Sequence, residues 1–319
     1  MKCFLWFALT CIAGCSSPYQ FSNEITSFST GVDNVRSAYT TGYDNLATDR
    51  QTLQTLNFND TSAKIKLANS CFPGGDSTLP CDFMVNRQGE PQPSPSDPAL
   101  QADRPKTLDD LNVLANYARA LQAVTNAADR AAFDSAAARL NASVTALGKA
   151  AGPQAAAGSA AFSAGFNIFA WVLGQALDQE RFDTLKQDVN LAAGPVQSIA
   201  KGLGTELDLV SETRQLLLTD TITALIAPLK PGYKNYMARE ATASQTKAVL
   251  IQLRQTKPSQ VTDALIKAHD SLRDAINDPK GSFSNFATAV GRFAELAEAL
   301  KSALTTPAAA KVPSSNPGS

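Results

Sequence analysis

Histidine is the scarcest ionisable residue of this 319-residue sequence, which contains only one. Acid–base and nucleophilic mechanisms most often recruit an imidazole, so this scarcity argues against most hydrolases and transferases. The single histidine, His269, precedes Asp270 in a helical segment. It is either a general base oriented by the carboxylate or, more simply, a solvated or capping imidazole. No calcium loop, phosphate loop or dinucleotide fingerprint occurs, and we expect no catalytic residue, no metal-binding residue and no cofactor.

An excess of charge of one sign is also lacking, because 28 basic residues stand against 29 acidic ones. Nucleic-acid binding requires a basic surplus to neutralise phosphates, so we expect no nucleic-acid partner. Aromatic residues make up 7% of the chain and alanine is abundant. This mixture favours closely packed helices over sheets and predicts an all-α fold.

The first fifteen residues predict that the protein is exported. Lys2 precedes an apolar run over 4–12 that is too short to span a bilayer, which is typical of a secretory signal peptide. The ending Ile12-Ala13-Gly14-Cys15 resembles the lipobox of bacterial lipoproteins. The resemblance implies that residues 1–14 are removed, that Cys15 is acylated, and that 15–19 form a short tether. In such lipoproteins, Ser16 and Ser17 after the cysteine permit transfer to the outer membrane, so we expect a lipid anchor there on the periplasmic side.

The remaining cysteines predict one disulfide bond. Cys3 and Cys11 leave with the signal peptide and Cys15 is acylated, so Cys71 and Cys81 are left as a pair in an oxidising compartment. Between them, Pro-Gly-Gly at 73–75 can reverse the chain. The spacing is too wide for a CxxC redox pair, and no nearby histidine supports a metal site.

A heptad pattern organises the beginning of the mature chain and predicts a long helix over 20–56. The pattern breaks at Asp49 and resumes at Leu53. It fits a coiled coil with a partner or packing against the protein's own later helices, and the polar interruptions favour the second. Its apolar positions are Phe21, Ile25, Phe28, Val32, Val35, Tyr39, Leu46, Leu53 and Leu56.

Residues 57–106 lack periodicity and predict a long, disulfide-clipped loop region, which is either an interaction element or simply solvent-exposed. A short helix at 62–69 and short strands around 83–85 are conceivable within it. From Thr107, which we expect to cap a helix, to residue 304 the chain predicts a helical bundle in the same domain as 20–56. One helix should run from Thr107, with its apolar face over 111–147. The central helix over 155–177 should continue over 178–190, and others should run over 195–228, 232–256, 259–277 and 282–304. We therefore predict a bundle of about six to seven helices, followed by a disordered tail over 305–319.

An uncharged run over 155–177 carries large apolar residues on one stripe. It predicts a buried central helix, with reversible membrane or hydrophobic-ligand contact and a true membrane span as alternatives. The residues that would make a hydrophobic contact are Phe162, Phe166, Phe169 and Leu173.

Carboxylate neighbours give the remaining enzymatic hypothesis, a carboxylate-based cell-wall hydrolase or a metal site. They are more simply helix-face charges, and Glu298 is spaced to pair with Lys301. The sequence therefore favours a membrane-anchored, non-enzymatic structural or protein-interaction module with an envelope protein as partner. A periplasmic carrier of lipid or another hydrophobic ligand is the alternative, and homo-oligomers are compatible with either. The carboxylate neighbours are Asp109 with Asp110, Glu206 with Asp208, and Glu295 with Glu298.

Overall fold

A computed structural model describes residues 21–59, 64–67, 83–87, 90–92, 98–152, 175–226 and 236–308 of the chain. Within this part the fold is a bundle of seven helices with a small three-stranded sheet. The helices are α1 (Ser22–Asn59), α2 (Pro98–Thr125), α3 (Arg130–Ala150), α4 (Gln175–Ile226), α5 (Tyr236–Gln255), α6 (Pro258–Asn277) and α7 (Pro279–Thr305), and the strands are β1 (Lys64–Leu67), β2 (Phe83–Arg87) and β3 (Glu90–Gln92).

Helix α1 confirms the heptad prediction, because every apolar position of the pattern is buried. The stripe packs against α7, α4 and α2 of the same chain. The helices of the protein's own bundle therefore occupy this seam, as the polar interruptions indicated. Asp49 keeps the heptad spacing between Leu46 and Leu53 and is itself buried. What looked like a break in the pattern is a buried charge within it.

Side-chain contacts fix the direction of the helices around α1. Asn34 donates a hydrogen bond to Glu298 at 2.8 Å and Asn45 donates to the Leu304 carbonyl at 2.8 Å, so α7 runs parallel to α1. Asp49 contacts Arg214, and Leu56 farther along α1 packs with Leu225 farther along α4, so α4 also runs parallel to α1. Helices α2 and α6 run antiparallel to these, and one continuous apolar core connects all seven.

Close helix approach depends on glycine at two positions. A Cβ atom on Gly31 of α1 would lie 2.5 Å from Cε1 of Phe293 in α7, which real contacts do not permit. A Cβ atom on Gly204 of α4 would lie 2.7 Å from Oγ1 of Thr262 in α6. Gly204 therefore serves the packing of α4 against α6.

The predicted start of the second helix and its single run over 111–147 are wrong. Helix α2 begins at Pro98, with Pro105 inside it, and Thr107 donates its hydroxyl to the Asp103 carbonyl instead of capping a terminus. The chain then breaks at 126–129, where the Asp129 side chain accepts a 2.8 Å hydrogen bond from the Ala132 amide and starts α3. An N-cap aspartate separates two helices that share a continuous apolar stripe.

Pro195 does not begin a helix, contrary to the prediction of separate helices over 178–190 and 195–228. It is buried inside α4, a single helix of 52 residues. Proline removes one helical hydrogen bond, but packing on both sides holds the helix together across it. The predictions over 232–256, 259–277 and 282–304 are confirmed within a few residues by α5, α6 and α7.

The small sheet lies in the region that was predicted to be a loop. Strand β2 pairs antiparallel with both β1 and β3, in the order β1-β2-β3. The strand prediction around 83–85 is confirmed, and the short helix at 62–69 is wrong. Lys-Ile-Lys-Leu in β1 alternates polar and apolar residues with the period of a strand, not of a helix. The described part of the chain is therefore a helical bundle, as predicted, with a small three-stranded sheet between α1 and α2.

Candidate functional site

Three of the carboxylates proposed for hydrolysis or metal binding have partners on their own or neighbouring helices. Glu298 lies 4.0 Å from Lys301, which confirms the predicted pair. Asp110 accepts a 2.7 Å hydrogen bond from Lys106. Asp208 accepts a 3.2 Å bond from the Ser259 amide at the start of α6. Among the residues that the structure describes, no three His, Cys, Asp or Glu side chains gather in a way that could hold a metal ion.

His269 is neither solvated nor paired with Asp270, so both readings of it from sequence are wrong. It lies in the core, with Nε2 at 2.8 Å from the hydroxyl oxygen of Tyr117. Burial, helped by the charge of Arg273, lowers the pKa of His269 to about 3. Asp270 pairs instead with Arg273 at 3.4 Å. The imidazole is uncharged at neutral pH and closed off from any substrate, so it serves α2–α6 packing.

Asp188 completes this buried polar cluster from α4. Its side chain is buried, and neither carboxyl oxygen has a hydrogen-bond partner. Burial raises the pKa of Asp188 to about 7. Burial also raises the pKa of Tyr117 well above its usual value, and the charge of Asp188 adds to that effect. The hydrogen-bonded pair of Tyr117 and His269 and the Asp188 carboxyl thus place polar groups of α2, α6 and α4 inside the bundle.

Two buried arginines of α4 donate hydrogen bonds to carbonyl groups at the C-terminal ends of neighbouring helices. Arg214 donates from Nε to Asp49 at 2.8 Å and from its terminal nitrogens to the Leu304 carbonyl at 2.7 Å and the Thr306 carbonyl at 2.6 Å. It thereby satisfies the free carbonyls at the end of α7. Arg181 donates to the Ala127 carbonyl just beyond α2. Burial raises the pKa of Asp49, whereas the Arg214 charge opposes that rise.

The exposed large apolar side chains of the described residues all lie on α4 and α5. A single exposed leucine is ordinary, but four exposed large apolar residues on two adjacent helices make these helices the candidate site. Their exposed fractions are 69% for Leu216, 51% for Ile226, 75% for Met237 and 46% for Ile251.

On each of the two helices, the two exposed apolar residues belong to a heptad pattern of exposed positions that contains no charged residue. On α5 the spacing is four, three, four and three, and on α4 it is three, four and three. The pattern on α5, which we call the α5 stripe, consists of Met237, Ala241, Ser244, Ala248 and Ile251, all exposed. The α4 stripe consists of Leu216, Thr219, Thr223 and Ile226, all exposed.

The threonines of the α4 stripe present methyl groups more than hydroxyls. Thr219 donates its hydroxyl to the Gln215 carbonyl at 2.7 Å, and Thr223 donates to the Thr219 carbonyl at 2.9 Å. Because these hydroxyls are satisfied by the helix itself, covering them with another helix leaves no unpaired donor.

The two stripes lie at the end of the bundle that is remote from the N-terminus. Leu56 near the end of α1 packs with Leu225 of α4 and Ala243 of α5 in a small second core. Arg239 at the start of α5 donates a 2.7 Å bond to the Ala224 carbonyl at the end of α4. At a rise of about 1.5 Å per residue, Leu56 lies about 50 Å along α1 from Ser22. An anchor before Ser22 would therefore be far from this surface.

The residues predicted for lipidation, the disulfide and hydrophobic contact, namely Cys15, Cys71, Cys81, Phe162, Phe166, Phe169 and Leu173, lie outside the described residues. The described end of the predicted central helix, from Gln175, is helical. Sequence reasoning missed the exposed stripes of α4 and α5, although their spacing is readable; nothing in the sequence distinguishes them from core-facing stripes until the bundle is assembled.

None of the helices in the described ranges is both long and apolar enough to cross a membrane. Comparisons with protein-family models, with curated proteins and with solved structures give no match to this chain.

Proposed function

We propose that this protein is a lipid-anchored lipoprotein of the bacterial cell envelope that binds another protein and catalyses no reaction. The lipobox-like ending at Cys15 supports the anchor, and Ser16 and Ser17 favour the periplasmic face of the outer membrane. Two or more acyl chains give stable attachment. The helical bundle then holds its binding surface at a fixed distance from the anchored end.

The observation that carries the proposal is the pair of exposed, uncharged stripes on α4 and α5. Heptad spacing is the pattern by which one helix receives another. The stripes are narrow, and the α5 stripe is flanked by the charged residues Glu240 and Lys247. A lipid-facing surface would be broader and more strongly apolar, so a helix of another protein is the better occupant.

The buried position of His269 supports a non-enzymatic role. Its imidazole and the Asp188 carboxyl are shut inside the core, where no substrate reaches them. The paired surface carboxylates are explained by helix-end and helix-face interactions. The positions of His269 and of the paired carboxylates are thus accounted for by the packing of the helices, without a catalytic role.

Photocrosslinking along α5 in living cells tests the proposed function. A photoreactive amino acid is placed at each position from 237 to 251 in turn, and the adducts are identified by mass spectrometry. We expect protein adducts whose yield peaks at the α5 stripe with heptad period. Exposed Ser135 and Arg139 on α3 are the control positions. Equal yields at the α3 positions, or lipid adducts without protein, would refute the proposal, and the second outcome would favour a carrier.

The anchor is tested separately with Cys15→Ser. This variant should move from the membrane pellet to the soluble periplasmic fraction, while its helical circular dichroism stays unchanged because the bundle has its own core. A variant that still pellets with membranes after an alkaline wash would contradict anchoring through Cys15.

A further inference from the structure

We propose that the α5 stripe is a self-association surface, on which a second copy of this chain docks its own α5 stripe antiparallel to the first about a twofold axis. The inference rests on the proposed function, because it names the protein that the surface binds. Three features of α5 support it: the order of side-chain sizes along the stripe, the charges beside the stripe, and the closure of the resulting assembly.

Side-chain size along the α5 stripe is complementary to itself when the direction is reversed. Large residues stand at the two ends and small ones in the middle. In the antiparallel pair, Met237 packs over Ala248 of the second copy, and Ala241 packs over Ser244 of the second copy. Met237 thus meets a small side chain, and the small central layers let the two backbones approach closely, whereas Ile251 lies beyond the overlap of the two stripes. The contact extends along about 17 Å of helix, from Met237 to Ala248.

Charge selects the antiparallel direction. Glu240 and Lys247 are exposed and seven residues apart, so they lie on the same side of the stripe. Antiparallel pairing brings Glu240 against Lys247 of the second copy, and the twofold axis repeats this ion pair. Parallel pairing would bring Glu240 against Gln245 and Lys247 against Gln252, without any ion pair. Only the antiparallel arrangement uses both charges.

Charge also selects the register. Sliding one copy by seven residues keeps the heptad layers in contact and brings Glu240 against Arg254 of the second copy. The same shift places Lys247 against Lys247 of the second copy, which is repulsive. The unshifted register has two attractive pairs and no repulsion, so it is the one we infer.

A twofold contact of this kind closes on itself and gives a dimer, because both copies use the same surface. One helix pair is small beside a standard interface of about 1,600 Å². The α4 stripe lies on the adjacent helix and extends the apolar surface available to the second copy. Tethering to one membrane would raise the local concentration of the copies and strengthen a small interface further.

Cysteine crosslinking of the full chain in its native envelope tests the geometry. One tagged copy carries Ala241→Cys and a differently tagged copy carries Ser244→Cys, since these positions face each other across the axis. Oxidation should give a mixed-tag dimer on non-reducing gels. Ala241→Cys combined with Ser135→Cys on α3, and copies with only the native cysteines, should give no such dimer. A mixed-tag dimer of equal yield in these controls would overturn the inference.

Charge reversal tests the orientation. Glu240→Lys creates two like-charge pairs and should weaken the dimer about tenfold, as measured by crosslinking yield at limiting expression. Adding Lys247→Glu in the same chain exchanges the two charges and should restore the yield. Absence of the 241–244 crosslink, together with periodic adducts of a different protein along α5, would overturn self-association and leave the proposed function standing. Absence of both would overturn the two together.

Discussion

Replacing Asp188 by asparagine should remove a pH dependence of stability that is built into the core. In the folded protein burial raises the pKa of Asp188 from 3.8 to about 7. The folded state therefore binds a proton that the unfolded chain releases. Stability from this proton is fully present below pH 3.8 and is lost as the pH rises to about 7. Asparagine has nearly the same shape and does not ionise.

The size of the effect follows from the two pKa values. Each pKa unit corresponds to about 1.4 kcal/mol, so between pH 5 and pH 8 the wild-type protein should lose about 3 kcal/mol of unfolding free energy at this one carboxyl. The stability of the variant relative to wild type should therefore rise by about 3 kcal/mol between pH 5 and pH 8. The cause of the raised pKa of Asp188 is its burial.

Urea unfolding followed by circular dichroism at pH 5, 6, 7 and 8 measures the difference. Other carboxylates titrate in both proteins, so the difference between Asp188→Asn and wild type isolates the one group. Asp263→Asn is the matched control, because Asp263 is exposed on α6. A constant offset between Asp188→Asn and wild type over this range would refute the reasoning.

Two further predictions concern packing. Asp49→Ala leaves the Arg214 guanidinium buried without its carboxylate and should lower the free energy of unfolding by about 3–5 kcal/mol. Asp49→Asn keeps an acceptor oxygen for Nε of Arg214 and should cost less. Urea unfolding measures both variants, and a loss below about 1 kcal/mol for Asp49→Ala would contradict a buried ion pair. Gly31→Ala should lower the free energy of unfolding by about 1–3 kcal/mol, because the new Cβ atom meets an aromatic ring. Gly202→Ala, at an exposed position where a Cβ atom meets nothing within 4 Å, should raise it by up to about 1 kcal/mol. Thermal unfolding measures both variants, and equal effects would show that helix propensity alone decides both.

Part of the site was readable from the sequence and part was not. The heptad spacing of Met237, Ala241 and Ser244 can be recognised in the amino-acid sequence. The same spacing, however, also occurs in the buried stripes of α1 and α7. Periodicity identifies an apolar helix face but does not indicate whether another helix or solvent covers that face. The pairing of Tyr117 with His269 joins residues 152 positions apart and has no local signal.

What the sequence determined by itself is the part that depends on local rules. Helix periodicity, proline at Pro258 and Pro279, and the apolar seam of α1 predict most helices within a few residues, because each depends on neighbours a turn or two away. Tertiary structure alone decided that α4 continues through Pro195, that Asp49 is buried against Arg214, and which stripes stay exposed. These outcomes depend on which helix lies beside which, since burial is a property of the assembled bundle and a residue carries no record of its distant neighbours.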